Sequence, residues 1–237
     1  MGVEQFSQFL ELHKPDVVLL QDAKNRAPHY AHRFSDYEII SRGEFVLLSR
    51  HLVQQSAVLP EPQYHGRPVA ARFEIIFQGQ PLALYDVHLP TPRTQFNRIL
   101  SPHIVNELFG AAEDGEEQGY RAWMIKRTEL ANALAAILAQ ERRPFIVGGD
   151  FNTPDHGPIY RQFSGQLTDA FAHAGRGWGL TFPGETRNPL AFCRPWLRLD
   201  YLFSGSGWEP ISCEVDSGRK AQHCAVVARF NPIRAGS

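Results

Sequence analysis

Asp150 and Asn152 stand two residues apart at the end of the run Phe145-Ile146-Val147-Gly148-Gly149-Asp150-Phe151-Asn152-Thr153-Pro154. Carboxylate and amide oxygens suit a hard divalent cation, and polar groups at a strand's end are where chemistry tends to sit. Val, Ile and Phe fit a pleated strand covered on both faces, the glycine pair permits a tight turn, and Pro154 stops the strand. Alternate residues of an extended segment share a side, so Asp150 and Asn152 are expected to face the same way. Taken alone, the run also describes an ordinary strand-to-loop turn in which Asp and Asn bond their own backbone.

Other candidates abut strand-like segments. Asp22 follows Val17-Val18-Leu19-Leu20-Gln21, where a solvated turn residue is the plainer reading. His88 lies in Tyr85-Asp86-Val87-His88-Leu89, on the strand face of Leu84 and Asp86. Asp200 lies in Arg198-Leu199-Asp200-Tyr201-Leu202-Phe203, and His223 follows Ala221-Gln222 just before Ala225-Val226-Val227-Ala228. A carboxylate paired with an imidazole stabilises the imidazolium and aims the ring. Among ten histidines a random one is structural or solvated, and taken alone these two are no exception.

The five segments occur in the order of the motifs of the endonuclease/exonuclease/phosphatase superfamily, the deoxyribonuclease-I-like metal-dependent phosphoesterases. They resemble its "LLQE", "NTHL", "GDFN", "RIDYIF" and "SDH" stretches and run from residue 17 to residue 228. Each is weak singly; five in order identify the family. The resemblance implies a four-layer α/β sandwich, two mixed β-sheets packed face to face with helices outside, over a single domain, residues 1–237. It also implies a phosphoesterase that uses Mg²⁺ or Mn²⁺ and water to cleave a phosphodiester or phosphomonoester, with nucleic acid among the candidate substrates.

Carried over residue by residue, Asp150 orients and deprotonates the attacking water and Asn152 holds phosphate or metal. His223 contacts the scissile phosphate, Asp200 fixes its tautomer, and His88 is a phosphate ligand or leaving-group acid. Asp22 and Gln222 fall at metal-binding positions. Both depart from the family: Asp22 is one methylene shorter than its Glu, and Gln222 replaces an Asp, removing a charge that attracts a hard cation. The family's opening strand, ending in an Asn, has no counterpart before Pro15, so the chain is expected to be N-terminally truncated relative to the family. A signal or anchor further upstream would be lost with that strand. The rival reading is a catalytically weakened member that binds phosphate or protein without turnover.

The elements that must position these groups alternate without a dividing linker. Phe6, Phe9 and Leu10 set the stripe of a helix over Glu4–His13, ended by Pro15. Strands are expected at Phe45–Ser49, Pro68–Phe77 and Leu82–Leu89, the last two joined by a turn at Gly79. Residues 90 to about 118 read as an irregular insertion, Tyr120–Gln140 as a helix with a core stripe, and Asp155–Phe163 as a short helix. With 237 residues and 43% hydrophobic content one domain can bury a sizeable core, and a net charge of −1 gives no field favouring a polyanion. Arg93, Arg98, Arg121, Lys126 and Arg127 read either as a basic site rim or as solvated faces. Cys193, Cys213 and Cys224 lack metal or disulfide spacing and read as free core thiols. No apolar run reaches the ~18 residues of a membrane span and no secretory signal is visible, which favours the cytoplasm.

Overall fold

A computed structural model describes residues 2–91, 114–184, 195–218 and 221–233. The chain begins with helix α1 (Val3–His13), which buries the expected stripe of Phe6, Phe9 and Leu10. It ends where Lys14 turns left-handed at φ 45° and returns its N–H to the Leu10 carbonyl, one residue before Pro15. Strand β1 (Val17–Leu20), helix α2 (Ala27–Arg33) and strands β2 (Glu38–Arg42) and β3 (Phe45–Ser49) follow. Strands β4 (Val53–Val58), β5 (Gln63–Tyr64), β6 (Arg67–Pro68), β7 (Ala70–Phe77) and β8 (Gln80–His88) come next. Helix α3 (Asp114–Ala139), strand β9 (Phe145–Asp150), helix α4 (Pro158–Ser164), strand β10 (Thr168–Asp169) and helix α5 (Ala170–Ala174) lead to β11 (Asp200–Ser204), β12 (Trp208–Asp216) and β13 (Ala225–Pro232).

Six strands form one mixed sheet in the order β10-β11-β9-β8-β7-β4, in which β8 and β9 run parallel. The second sheet layer holds the antiparallel set β1-β3-β2 and the separate hairpin β12-β13. Phe45, Leu47, Phe73, Ile75 and Leu84 fill the space between the layers, joined by Val17, Leu19 and Phe230. On the far side of the six-stranded sheet, Leu130, Leu134 and Leu138 of α3 pack on Tyr85, Val87, Val147, Tyr201 and Phe203. On the far side of the second layer, Phe6, Phe9 and Leu10 of α1 pack with Tyr30 of α2, Val46 and Leu48. The order is helix, sheet, sheet, helix: a four-layer α/β sandwich.

Local differences from the sequence expectation have physical reasons. The expected strand from Pro68 is broken at Val69, whose N–H leaves the ladder to donate to the Pro62 carbonyl at 3.2 Å. Helix α3 starts at Asp114, so the irregular insertion ends earlier than residue 118; the helix-favouring Glu116-Glu117-Gln118 outweighs Gly115 and Gly119. Residues 92–113 of that insertion, with Arg93 and Arg98, lie outside the described residues, as does Cys193. Cys213 and Cys224 are buried free thiols. Among the described residues no helix is long and apolar enough to cross a membrane.

Candidate active site

Strand register gathers the site. In the parallel β8–β9 pair His88 lies opposite Asp150, and in the antiparallel β9–β11 pair Asp200 lies opposite Asp150, so the three form one row across neighbouring strands. Gly149 makes this row feasible: its φ is 140°, and a Cβ there would stand 2.0 Å from the Val87 carbonyl oxygen. Asn152 follows in the left-handed region at φ 49°. Its N–H donates to Asp150 Oδ1 at 2.8 Å, and its Nδ2 donates to Asp150 Oδ2 at 3.0 Å and to the Leu89 carbonyl at 2.9 Å. Asn152 thus grips both oxygens of Asp150. The Asx-type turn is present, in the service of aiming a carboxylate.

Two carboxylate–imidazole pairs converge on that carboxylate. His223 Nδ1 lies 2.8 Å from Asp200 Oδ2, and its Nε2 is 3.8 Å from Asp150 Oδ2. On the opposite side His88 Nδ1 lies 2.8 Å from Glu44 Oε1, and its Nε2 is 3.9 Å from Asp150 Oδ2. Thr181, fully buried, ties the first pair together: its Oγ1 accepts from the backbone N–H groups of Leu199 and Asp200, and its carbonyl accepts from Cys224 N–H. The ring of Phe182 lies 5.0 Å from that of His223. Arg127 is buried, donates to the Phe151 and Asn152 carbonyls and stacks over Trp123 at 5.1 Å, which makes it a brace of the Asp150 loop and not a rim charge.

Glu44 is the residue that sequence reasoning missed. Val17 to Leu20 pair antiparallel with Ser49 to Val46, and two further steps along that register set Asp22 opposite Glu44, with Ala23 N–H donating to the Glu44 carbonyl at 3.1 Å. Asp22 is exposed, at φ 51°, and with Glu44 and His88 it presents ligand atoms within 4.8 Å of one another. Asp150, Asp200 and His223 form a second such group. Gln222 is exposed, and its carbonyl accepts from Gly184 N–H at 2.7 Å. If its side chain serves the metal, Gln222→Asp returns a charge and lowers the half-saturating Mg²⁺ concentration by about tenfold, worth about 1.4 kcal/mol. An unchanged Mg²⁺ titration of melting temperature would remove Gln222 from the site.

Burial, reinforced by the negative charge of Asp200, pushes the Asp150 carboxyl up to about 7, although His223, His88 and the Asn152 N–H pull the other way. Burial opposes protonation of His88, but the Glu44 hydrogen bond and the charges of Asp150, Glu44 and Asp22 outweigh it and raise the ring. For Glu44, hydrogen bonds from His88 and Arg67 overcome burial and hold the carboxyl below its usual range.

Asp86, two residues before His88, faces the sheet–sheet core with no exposed surface. Its Oδ1 accepts from Gln21 Nε2, its buried Oδ2 has no hydrogen-bond partner, and burial raises the carboxyl to about 8. A carboxyl raised by folding contributes its full stability below the unfolded value of about 4 and loses it progressively as pH climbs toward the folded one, at about 1.4 kcal/mol for each pH unit crossed. Asp86→Asn should therefore raise the melting temperature at pH 8 by roughly 5 °C or more and leave it nearly unchanged at pH 4. Equal shifts at both pH values in thermal melts would contradict a neutral Asp86.

This sandwich, with its polar row at the strand ends of one sheet, defines a class, and the comparisons fix the family. A profile of the endonuclease/exonuclease/phosphatase family matches residues 2–220, and the chain belongs to that family. Solved structures agree on the fold. Humanized D. rerio TDP2 superposes with a TM-score of 0.67 at 18% identity, over 96% of this chain and 90% of that one. The 3' phosphatase NExo from Neisseria, bound to a product DNA hairpin, gives 0.65 at 15% identity, over 97% and 94%. A mannosyl-6-phosphatase from Bacteroides thetaiotaomicron gives 0.65 at 13% identity, over 96% and 89%. Among curated proteins none matches the chain in sequence.

Proposed function

We propose that this chain is a divalent-metal-dependent phosphoesterase in which Asp150 activates water against a phosphodiester or phosphomonoester. The observation that carries the reading is a buried carboxylate, pushed up to about 7, set between two imidazoles that each have a carboxylate behind them. A base poised near neutrality with donors on both sides suits proton transfer coupled to charge build-up on phosphate oxygens. Water gives its proton to Asp150 as its oxygen bonds to phosphorus. The His223 Nε2–H, its Nδ1 turned to Asp200, steadies the phosphate. The His88 imidazolium, favoured by Glu44, supplies the proton taken up by the departing oxygen.

The donor chemistry fits a hard cation: carboxylate oxygens from two facing strand ends, close to an imidazole. Asp22 and Glu44 would hold Mg²⁺ or Mn²⁺, Gln222 joining them only by its place in the family motif, and such an ion would supply positive charge to non-bridging and leaving-group oxygens. Most described elements contribute side chains to one of three cores that share the sheet layers, which supports reading residues 1–237 as one catalytic domain. A phosphate-binding module without turnover is the rival, favoured by the exposed Gln222 and by a cationic side chain already lying on Asp22 and Glu44. The test is release of p-nitrophenol from bis-para-nitrophenyl phosphate and from para-nitrophenyl phosphate with Mn²⁺ or Mg²⁺. Turnover of either supports the enzyme; phosphate binding with no turnover of both supports the module.

A further inference from the structure

Arg67 closes the tight hairpin β5–β6, where Tyr64 pairs with Arg67 across His65 and Gly66, both at positive φ. This two-residue turn fixes where the side chain starts, and the guanidinium reaches back to the site. One of its nitrogens hydrogen-bonds Glu44 Oε2 and lies 3.6 Å from Asp22 Oδ1. The other Glu44 oxygen, Oε1, is kept for His88. The side chain remains 67% exposed and borders a cavity of about 350 Å³ lined in part by Lys24, Gly43, Val58 and Gly66.

From this geometry we infer that Arg67 is the resident counter-cation of the Asp22–Glu44 pair, and that a divalent ion binds there by displacing it. The inference rests on the metal-binding role proposed for these two carboxylates. Two carboxylates facing each other just beyond β1 and just before β3 repel; His88 offsets one oxygen of Glu44, and Arg67 is the cation that spans both carboxylates. A metal ion needs the same oxygens, and it repels a guanidinium held against them. Leaving is open to Arg67: its own end of the contact is exposed although Glu44 is largely covered, and the adjoining cavity gives the guanidinium room to swing aside. The Glu44–His88 contact uses the opposite oxygen and survives the exchange. Arg67 thus sets a threshold of metal concentration below which the carboxylates stay neutralised.

The test is direct Mn²⁺ binding, by calorimetry and by the electron paramagnetic resonance signal of free Mn²⁺, to wild type, Arg67→Met and Arg67→Gln. Both variants remove the charge from an exposed turn. Binding roughly three- to tenfold tighter in the variants is expected. Without metal the variants should melt lower than wild type, because Asp22 and Glu44 are left to repel, and saturating Mn²⁺ should close the gap. Equal or weaker Mn²⁺ binding in the folded variants, beside clear binding in wild type, overturns the counter-cation role and leaves the metal site standing. No Mn²⁺ binding in any of the three overturns both.

Discussion

Replacing Asp150 with Asn lowers phosphoester turnover by roughly 10²–10⁴-fold, the contribution typical of a positioned proton acceptor. The side chain is almost isosteric, and its Oδ1 can still accept the Asn152 N–H that holds it. What is lost is the ability to take a proton from water, together with the oxygen that accepts from Asn152 Nδ2. The pH dependence supplies a second signature. Burial and Asp200 raise the wild-type carboxyl to about 7, so it is protonated and idle below that value and becomes a base above it. The wild-type rate should climb through neutrality, with a midpoint below 7 where a bound cation favours the carboxylate. The residual Asp150→Asn rate should lack that limb. A variant that keeps the wild-type rate, or the same pH limb, would assign the base elsewhere.

His223→Ala should lose a similar factor, roughly 10²–10⁴-fold, because it removes the donor that stands 3.8 Å from Asp150 and leaves Asp200 without its imidazole. Asp200→Asn should have an intermediate to severe loss. It keeps a hydrogen-bonding oxygen toward His223 Nδ1 but no longer sets a negative charge beside the ring. His223 is half-buried and Asp200 is anchored through its backbone to Thr181, so neither change removes a core side chain. Melting temperatures within about 5 °C of wild type are expected, alongside the rate losses. Full turnover in His223→Ala, or unfolding of both variants, would make this pair structural.

Sequence made the strands legible because their signals are local: Val, Ile and Phe runs ended by Gly, Pro and Asp marked β1, β3, β8 and β9 to within a few residues. It also marked Asp150 and His88 at the ends of strands and Asp200 and His223 at or just before the starts of strands, in the order of the family's motifs, and register sets Asp150, Asp200 and His88 side by side. Glu44 carries no local signal. It enters through antiparallel pairing of β1 with β3, a long-range contact that no spacing rule reports. Arg67 and Arg127 are opposite cases of the same limit, one a hairpin residue reaching back to two carboxylates, the other a helix residue buried under the Asp150 loop. Asn152 read as a phosphate or metal holder; the structure adds that its amide nitrogen donates to Asp150 and Leu89, a positioning of the Asp150 carboxylate that spacing alone did not show. Composition could not reveal the raised Asp86 carboxyl, because the shift comes from complete burial between sheets.

Whether a divalent cation and Asp150 together cleave a phosphoester here is decided by one rate titration. Wild type and Asp150→Asn, stripped with EDTA, are titrated with Mn²⁺ while p-nitrophenol release from bis-para-nitrophenyl phosphate is followed. Stripped wild type should show no turnover and recover saturably with Mn²⁺, and the variant plateau should lie lower by at least about 10²-fold. Turnover that survives EDTA, or equal plateaus for the two proteins, would contradict joint action of the cation and Asp150.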